Sequence, residues 1–256
     1  MDLGVFFSAK TIAVVGASRN PNKVGHIIFR NFVDNNYYGK VYPVNQTAEY
    51  IVGHKAYRRV TDVPGKLELV VIAVPAPAVM NVVRDCVKKK VEGIVLISAG
   101  FEEVGNMKGA EELKTVLNKH KIKLIGPNCL GVFNAANGMD TLFLPRSRLG
   151  RPKVGGISFI CQSGAVGSAI LDLASFEGYG FAKFASYGNA TVVDETDLLD
   201  YFGDDPDTKV ICMYIEGVKD GQKFLETARR VSAKKPVIAI KGGLTERGNR
   251  AALSHT

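Results

Sequence analysis

The chain has 256 residues, 46% of them hydrophobic and 23% charged, with a formal net charge of +8; this is an ordinary globular composition, long enough for two domains of ~100–200 residues each. It has no apolar run of the ~18 residues that cross a bilayer and no basic, then apolar leader at its start, so no membrane partner is expected. The four cysteines, Cys86, Cys129, Cys161 and Cys212, lack paired spacing, which argues against a disulfide framework or a metal site and for a reducing cytoplasm.

Thr11-Ile-Ala-Val-Val-Gly16 is a β-rich run stopped by glycine, and a helix is predicted over 23–36, with Val24, Ile27, Ile28 and Phe32 on one face. Strands are predicted at 40–44, 68–74, 93–97 and 121–125, with helices after Pro75-Ala-Pro77 and near 109–120. Lys88-Lys89-Lys90 reads as a solvated helix end. Alternation of this kind predicts a parallel sheet covered on both faces, a Rossmann-like domain over 1–133.

Residues 134–153 are polar and broken by Gly and Pro, as in a linker. A second α/β series follows over 154–256, with strands at 155–161, 181–186, 209–215 and 236–240 and helices at 164–177, 195–203 and 221–233. It ends without a closing strand or helix, so this second domain is expected to be incomplete at its C-terminus. The apolar run 157–161 leads through Gln162-Ser163-Gly164-Ala165 straight into a helix. The exposed N–H groups and roughly half a positive charge at a helix start favour an anion such as phosphate. A Ser163 that only caps the helix is the ordinary alternative.

The positive charge is uneven: residues 1–130 hold 18 Lys and Arg against 11 Asp and Glu, residues 131–256 hold 15 against 14. A basic first half suits a polyanion, but the cations are dispersed without a nucleic-acid motif, so nucleic acid is not expected as a partner. Ligands of parallel α/β sheets sit beyond the carboxyl ends of the strands. There the sequence places Gly16, Ser18, Arg19 and Lys23, then Pro43 and Asn45, Val74 and Pro75, Ser98, Ala99 and Gly100, and Asn128 and Cys129. Gly16-Ala-Ser-Arg-Asn-Pro-Asn-Lys-Val-Gly25 is not G-x-G-x-x-G. The second strand ends Val44-Asn45-Gln46, without the acidic residue that holds a dinucleotide's ribose. A nicotinamide oxidoreductase is therefore disfavoured, and coenzyme A, with its 3′-phosphate and pyrophosphate, suits the longer basic loop.

Val15-Gly-Ala-Ser-Arg, Lys23-Val-Gly25, Val41-Tyr-Pro-Val-Asn45, Val74-Pro75, Ile97-Ser-Ala-Gly-Phe-Glu102, Gly126-Pro-Asn-Cys-Leu-Gly131, Ser163-Gly164, Glu216 and Ser254-His255-Thr256 occur in the order found in ADP-forming acyl-CoA synthetases. Over essentially its whole length the chain resembles the α-type half of these enzymes, relatives of succinyl-CoA synthetase. The resemblance implies an α/β architecture, a Rossmann-like CoA-binding domain followed by a flavodoxin-like ligase domain, with Val24 joining the CoA-binding residues listed by strand end above. It implies that His255 is phosphorylated, that Glu216 orients its imidazole, and that Gln162, Ser163, Gly164 and Ala165 cradle the phosphate. It further implies an acid–thiol ligase that interconverts acyl-CoA, phosphate and ADP with acid, CoA and ATP, through an acyl phosphate and a phosphohistidine. Mg-ADP or Mg-ATP belongs to an ATP-grasp module that this sequence lacks, so a partner subunit or further domain, and an oligomer, are expected. A CoA-binding sensor without ligase activity is the alternative.

Overall fold

In the computed structural model, which describes residues 2–35 and 37–243, the apolar runs of the first half become parallel strands. A short helix α1 (Gly4–Ser8) precedes β1 (Thr11–Val15), α2 (Val24–Asp34) and β2 (Lys40–Val44). A small hairpin, β3 (Tyr50–Ile51) and β4 (His54–Lys55), leads to β5 (Leu69–Ile72), α3 (Ala76–Lys89), β6 (Gly93–Leu96), α4 (Met107–Lys119) and β7 (Lys123–Ile125). The sheet order is β2-β1-β5-β6-β7, with every pair parallel. All four residues of β5 and of β6 are buried, as expected for strands covered by helices on both faces. The order reverses between β1 and β5, which opens a crevice at their carboxyl ends.

The second sheet is built from β8 (Gly131–Asn134), β9 (Met139–Asp140), β10 (Lys153–Cys161), β11 (Gly180–Ser186), β12 (Val210–Ile215) and β13 (Val237–Lys241). Helices α5 (Gly164–Phe176), α6 (Glu195–Asp204) and α7 (Gly221–Ser232) alternate with its parallel strands. Its order is β13-β12-β10-β11-β8-β9, with β8 antiparallel to β11 and β9 antiparallel to β8. Here the order reverses between β10 and β12, giving a second crevice. Among the described residues no helix is long and apolar enough to cross a membrane.

Residues 134–153 are packed rather than free, unlike the linker their composition suggests. They include β9 and a buried ionic hub. The carboxylate of Asp140, fully buried, accepts from Arg151 Nε at 2.8 Å and from Asn31 Nδ2 of α2 at 3.4 Å. Arg151 also donates to the carbonyls of Leu144 (2.9 Å) and Leu149 (2.7 Å), and Asn31 Nδ2 donates to that of Leu142 (2.8 Å). The polarity that resembles a solvent-facing linker therefore belongs to a hydrogen-bonded network inside the protein.

Three backbone hydrogen bonds join the two sheets: Val193 N to Leu124 O (3.1 Å), Thr191 N to Gly126 O (3.3 Å) and Asn189 N to Pro127 O (3.0 Å). Gly188 makes that approach possible. It has φ +55°, and a Cβ there would lie 2.2 Å from the Pro127 carbonyl oxygen. One continuous core cluster runs from Val14 and Phe29 of the first sheet unit to Ile160, Tyr187 and Phe202 of the second. Replacing Arg151 by Met leaves the Asp140 charge buried beside only the more distant Arg146 (3.6 Å). Arg151→Met is expected to lower the unfolding free energy by about 3 kcal/mol, read from the urea midpoint; a midpoint within error of the parent's would refute a structural role for the hub.

Candidate functional site

The two crevices meet in one cavity of about 690 Å³. The first sheet unit brings Val24 at the start of α2, Val74 and Pro75 after β5, Ser98 and Ala99 after β6, and Asn128 and Cys129 after β7. The second brings Gln162, Ser163, Gly164 and Ala165 from the β10–α5 junction and Glu216 from the end of β12. Residues expected to hold CoA and residues expected to cradle phosphate thus share one wall. Cys129 belongs to that wall as a neutral thiol, because burial pushes its pKa up to about 12, and its Sγ donates to Leu96 O at 3.3 Å.

Ser163 does cap α5: its hydroxyl accepts from Val166 N at 3.4 Å. The N–H groups of Gly164 and Ala165 belong to the first turn, where a helix offers no internal acceptor. Capping and anion binding are therefore compatible here. Gln162 is fixed more firmly. Its Oε1 accepts from Glu216 N (2.8 Å), Gly217 N (3.0 Å) and the Tyr187 hydroxyl (3.1 Å). Three donors on that oxygen settle the amide's orientation and leave its NH2 group as the donor end. Tyr187 is fully buried, and burial first, then the charge of Glu195, raises its pKa well above the ordinary value; the phenol remains a donor. Glu216 is braced from its other side by Lys241 Nζ, which donates to its carbonyl at 2.7 Å. Tyr214 is raised by burial and then by the Glu216 carboxylate. His255 lies outside the described residues, as does everything from 244 to 256.

A second cavity of about 790 Å³ adjoins the first across Val74 and Pro75. Gly16 and Asn45 line it. Gly16 has φ +91°, and a Cβ there would fall 2.2 Å from Ala73 O, so no other residue fits without backbone movement. The Asn45 side chain is engaged in its own loop, donating to Ala17 O (2.8 Å) and accepting from Ala48 N (2.8 Å) and Thr47 N (2.9 Å). Four cations that the sequence did not assign to a ligand line this cavity: Arg58, Arg59, Arg84 and Lys88. Arg59 forms a two-point pair with Asp85 (3.0 and 2.5 Å), and Arg84 pairs with Glu112 (3.1 Å). Arg58 and Lys88 have no carboxylate partner among the described residues. Lys88 is exposed in the last turn of α3, as a solvated helix end should be, and with Arg84 it lines this cavity from one face of α3 at i, i+4 spacing.

Five expected residues line neither cavity. Pro43 is buried within β2. The Ser18 hydroxyl accepts from Asn20 N (3.1 Å), and its carbonyl meets His26 Nδ1 (2.6 Å). Arg19 and Lys23 are exposed on the loop running from one cavity to the other. Gly100 N donates to the Glu103 carboxylate, which also accepts from Phe101 N (3.2 Å) and, across the sheet units, from Asn189 Nδ2 (2.6 Å). Asn189 in turn accepts from Asn128 Nδ2 at 3.4 Å, so Glu103 anchors the cavity rim. Its signal in sequence is faint: a Glu close after a glycine turn.

Residues 10–135 match the CoA binding domain family, and residues 154–256 match the succinyl-CoA ligase like flavodoxin domain family. An ADP-forming acetate–CoA ligase of Methanocaldococcus jannaschii is 46% identical over 247 residues, 96% of this chain and 34% of that protein. Subunit alpha of the ADP-forming acetate–CoA ligase II of Pyrococcus furiosus is 42% identical over 99% of this chain and 55% of the subunit. A dinucleotide-forming acetyl-coenzyme A synthetase from Ca. Korarchaeum cryptofilum, solved with phosphate and ADP, superposes with a TM-score of 0.92 at 42% identity, over 99% of this chain and 54% of that one. The chain spans between a third and just over half of the length of these relatives.

Burial alone raises the Glu103 pKa, but hydrogen bonds from Gly100 N, Asn189 and Phe101 N outweigh it and hold the group below its ordinary 4.5. A depressed acid stabilises the fold fully above its unfolded pKa and loses that contribution as pH falls through the folded value. The thermal midpoint should therefore fall below pH 4.5, and Glu103→Gln should flatten that fall while lowering the midpoint at pH 7. An unchanged acid profile in the variant would remove Glu103 from the linkage.

Proposed function

Because the chain belongs to the ADP-forming acyl-CoA synthetase family, as its half with the CoA-binding and succinyl-CoA ligase-type flavodoxin domains, we propose that it binds CoA across the two adjoining cavities and carries phosphate on His255. The observation behind this reading is the meeting of CoA-domain residues, the α5 N-terminus and Glu216 on one cavity wall. The nucleotide end of CoA takes the cation-lined cavity, with Arg58 and Lys88 on its phosphates. The pantetheine arm passes Val74 and Pro75, and the thioester reaches the cradle.

There a phosphate oxygen attacks the thioester carbonyl, the C–S bond breaks, and CoA leaves as a thiolate that takes a proton. The N–H groups of Gly164 and Ala165 and the Gln162 amide stabilise the oxyanion charge. An imidazole nitrogen of His255 then attacks phosphorus, the P–O bond to the acyl group breaks, and the acid leaves as carboxylate. Glu216 accepts from the other ring nitrogen and stabilises the imidazolium, as the carboxylate of a Ser-His-Asp triad does. Transfer from His255 to ADP requires an ATP-grasp module with its Mg²⁺, supplied by a second subunit, in an oligomer, or by a further part of the chain. Every step is reversible. The unpaired thiols suit the cytoplasm.

Isothermal titration should show CoA binding to the chain alone, weakened about tenfold or more by Arg58→Ala or Lys88→Ala, since a charged hydrogen bond contributes about 1.5–3 kcal/mol. No CoA binding by folded protein would reject the reading. With the nucleotide module and labelled ATP, the chain should acquire acid-labile, base-stable phosphate. His255→Ala should abolish it, and Glu216→Gln should slow it by on the order of 10²–10⁴-fold. CoA binding without any such phosphate would instead favour the sensor.

A further inference from the structure

Glu195 is 1% exposed, yet it lines neither cavity and takes no part in the steps proposed for them. Burying a carboxylate is costly unless its oxygens are engaged, so the contacts it makes are informative. We propose that Glu195 is a positioning residue for phosphoryl transfer: it fixes the far end of the short loop that carries Glu216, and so holds the Glu216 carboxylate at the cavity wall. This rests on the phosphohistidine reading above and extends it to a residue outside the cavity.

Strand β12 ends at Ile215 and α7 begins at Gly221, so only residues 216–220 join them. Gln162 holds the near end of that loop: its Oε1 accepts from Glu216 N at 2.8 Å and from Gly217 N at 3.0 Å. Glu195 holds the far end: its Oε1 accepts from Lys219 N at 3.2 Å. Between them Val218 packs against the core. Lys219 Nζ donates to the carbonyl of Ala190, which lies between the Asn189 and Thr191 N–H groups of the ladder that joins the sheets. Glu195 is also close enough to Tyr187 that, after burial, its charge is the largest cause of the raised pKa of that phenol. The same phenol donates to Gln162 Oε1 at 3.1 Å. Both holds on the loop are therefore rooted in one part of the interior.

An acid in the first turn of a helix is favourable in itself, and Glu195 opens α6. That alone does not explain it. Asp194 and Asp197 already serve this helix end, with Asp194 Oδ1 accepting from Thr196 N and Asp197 N at 2.9 Å each. Helix-end electrostatics need charge and no reach, so an aspartate would serve as well as a glutamate. The bond to Lys219 N needs reach and an acceptor oxygen, so a glutamine would serve as well. The two roles therefore predict opposite results for two conservative substitutions.

The test compares Glu195→Asp with Glu195→Gln in the full chain, supplied with the nucleotide module and labelled ATP. Glu195→Asp should lower the rate of phosphate incorporation at saturating ATP about tenfold or more, as small displacements of a reacting group do. The half-saturating ATP concentration and the affinity for CoA should stay within about twofold of the parent's. Glu195→Gln should keep the rate within about threefold of the parent's. Hydrogen exchange of the Lys219 amide should rise about tenfold or more in Glu195→Asp and not in Glu195→Gln. A parental rate in Glu195→Asp overturns the inference and leaves the phosphohistidine reading intact, whatever the Lys219 amide does. Loss of rate in both variants, or in Glu195→Gln alone, overturns it too, because charge would then matter more than reach. A Glu195→Asp chain that does not fold makes the residue a structural one and has the same consequence. A parent that binds CoA and acquires no phosphate overturns both readings.

Discussion

Everything proposed for the cavity depends on the main-chain ladder between β7 with the turn that follows it and the segment after β11. Val193, Thr191 and Asn189 donate to Leu124, Gly126 and Pro127, which points the carboxyl ends of both sheets at the same space. Without it there would be two ordinary crevices, one beside Gly16 and one beside Gly164, each open to solvent. Because the bonds are between backbone groups, they constrain spacing and register with little regard to side-chain identity, except at Gly188, where any side chain would strike the Pro127 carbonyl. The side-chain links around Asn189 then sit on a frame already set.

The two cavities are lined by different kinds of electrostatics. The outer one has full charges on long side chains, Arg58 and Lys88 among them, which attract phosphate from a distance and tolerate imprecise placement. The inner one has fixed dipoles: first-turn N–H groups and an amide whose orientation is set by three donors. Fixed dipoles need no rearrangement when charge develops. In the proposed reading, the outer cavity holds the phosphates of CoA and the inner one stabilises the charge that develops.

Much of this was legible in the sequence. Runs such as Thr11-Ile-Ala-Val-Val and Glu68-Leu-Val-Val-Ile, stopped by Gly or Pro, are strands within one or two residues of their expected ends, because parallel strands buried on both faces must be continuously apolar. The β10–α5 junction stood out as a strand leading straight into a helix, and Glu216 only through the family resemblance; both line the inner cavity. The strap over residues 139–151 was not legible. Its polar residues look like those of any loop, and only the distant Asn31 turns Asp140 and Arg151 into an interior network. The one local hint was Leu142-Phe143-Leu144, three apolar residues in polar surroundings. Loop residues Ser18, Arg19 and Lys23 are of types that suit phosphate, and the course of their loop is set by a backbone turn closed by Asn20 and His26 that their types do not announce.

The family matches split the chain into two pieces with a gap between residues 135 and 154, yet the hydrophobic core does not divide there. Val14, Phe29, Ile160, Tyr187 and Phe202 belong to one cluster, and Asn31 of the first piece is hydrogen-bonded into the strap that precedes the second. The bounds of the family matches and the bounds of the hydrophobic core are therefore different. Recombining this CoA-binding half with another ligase half would require the partner to supply a matching inner face as well as compatible chemistry.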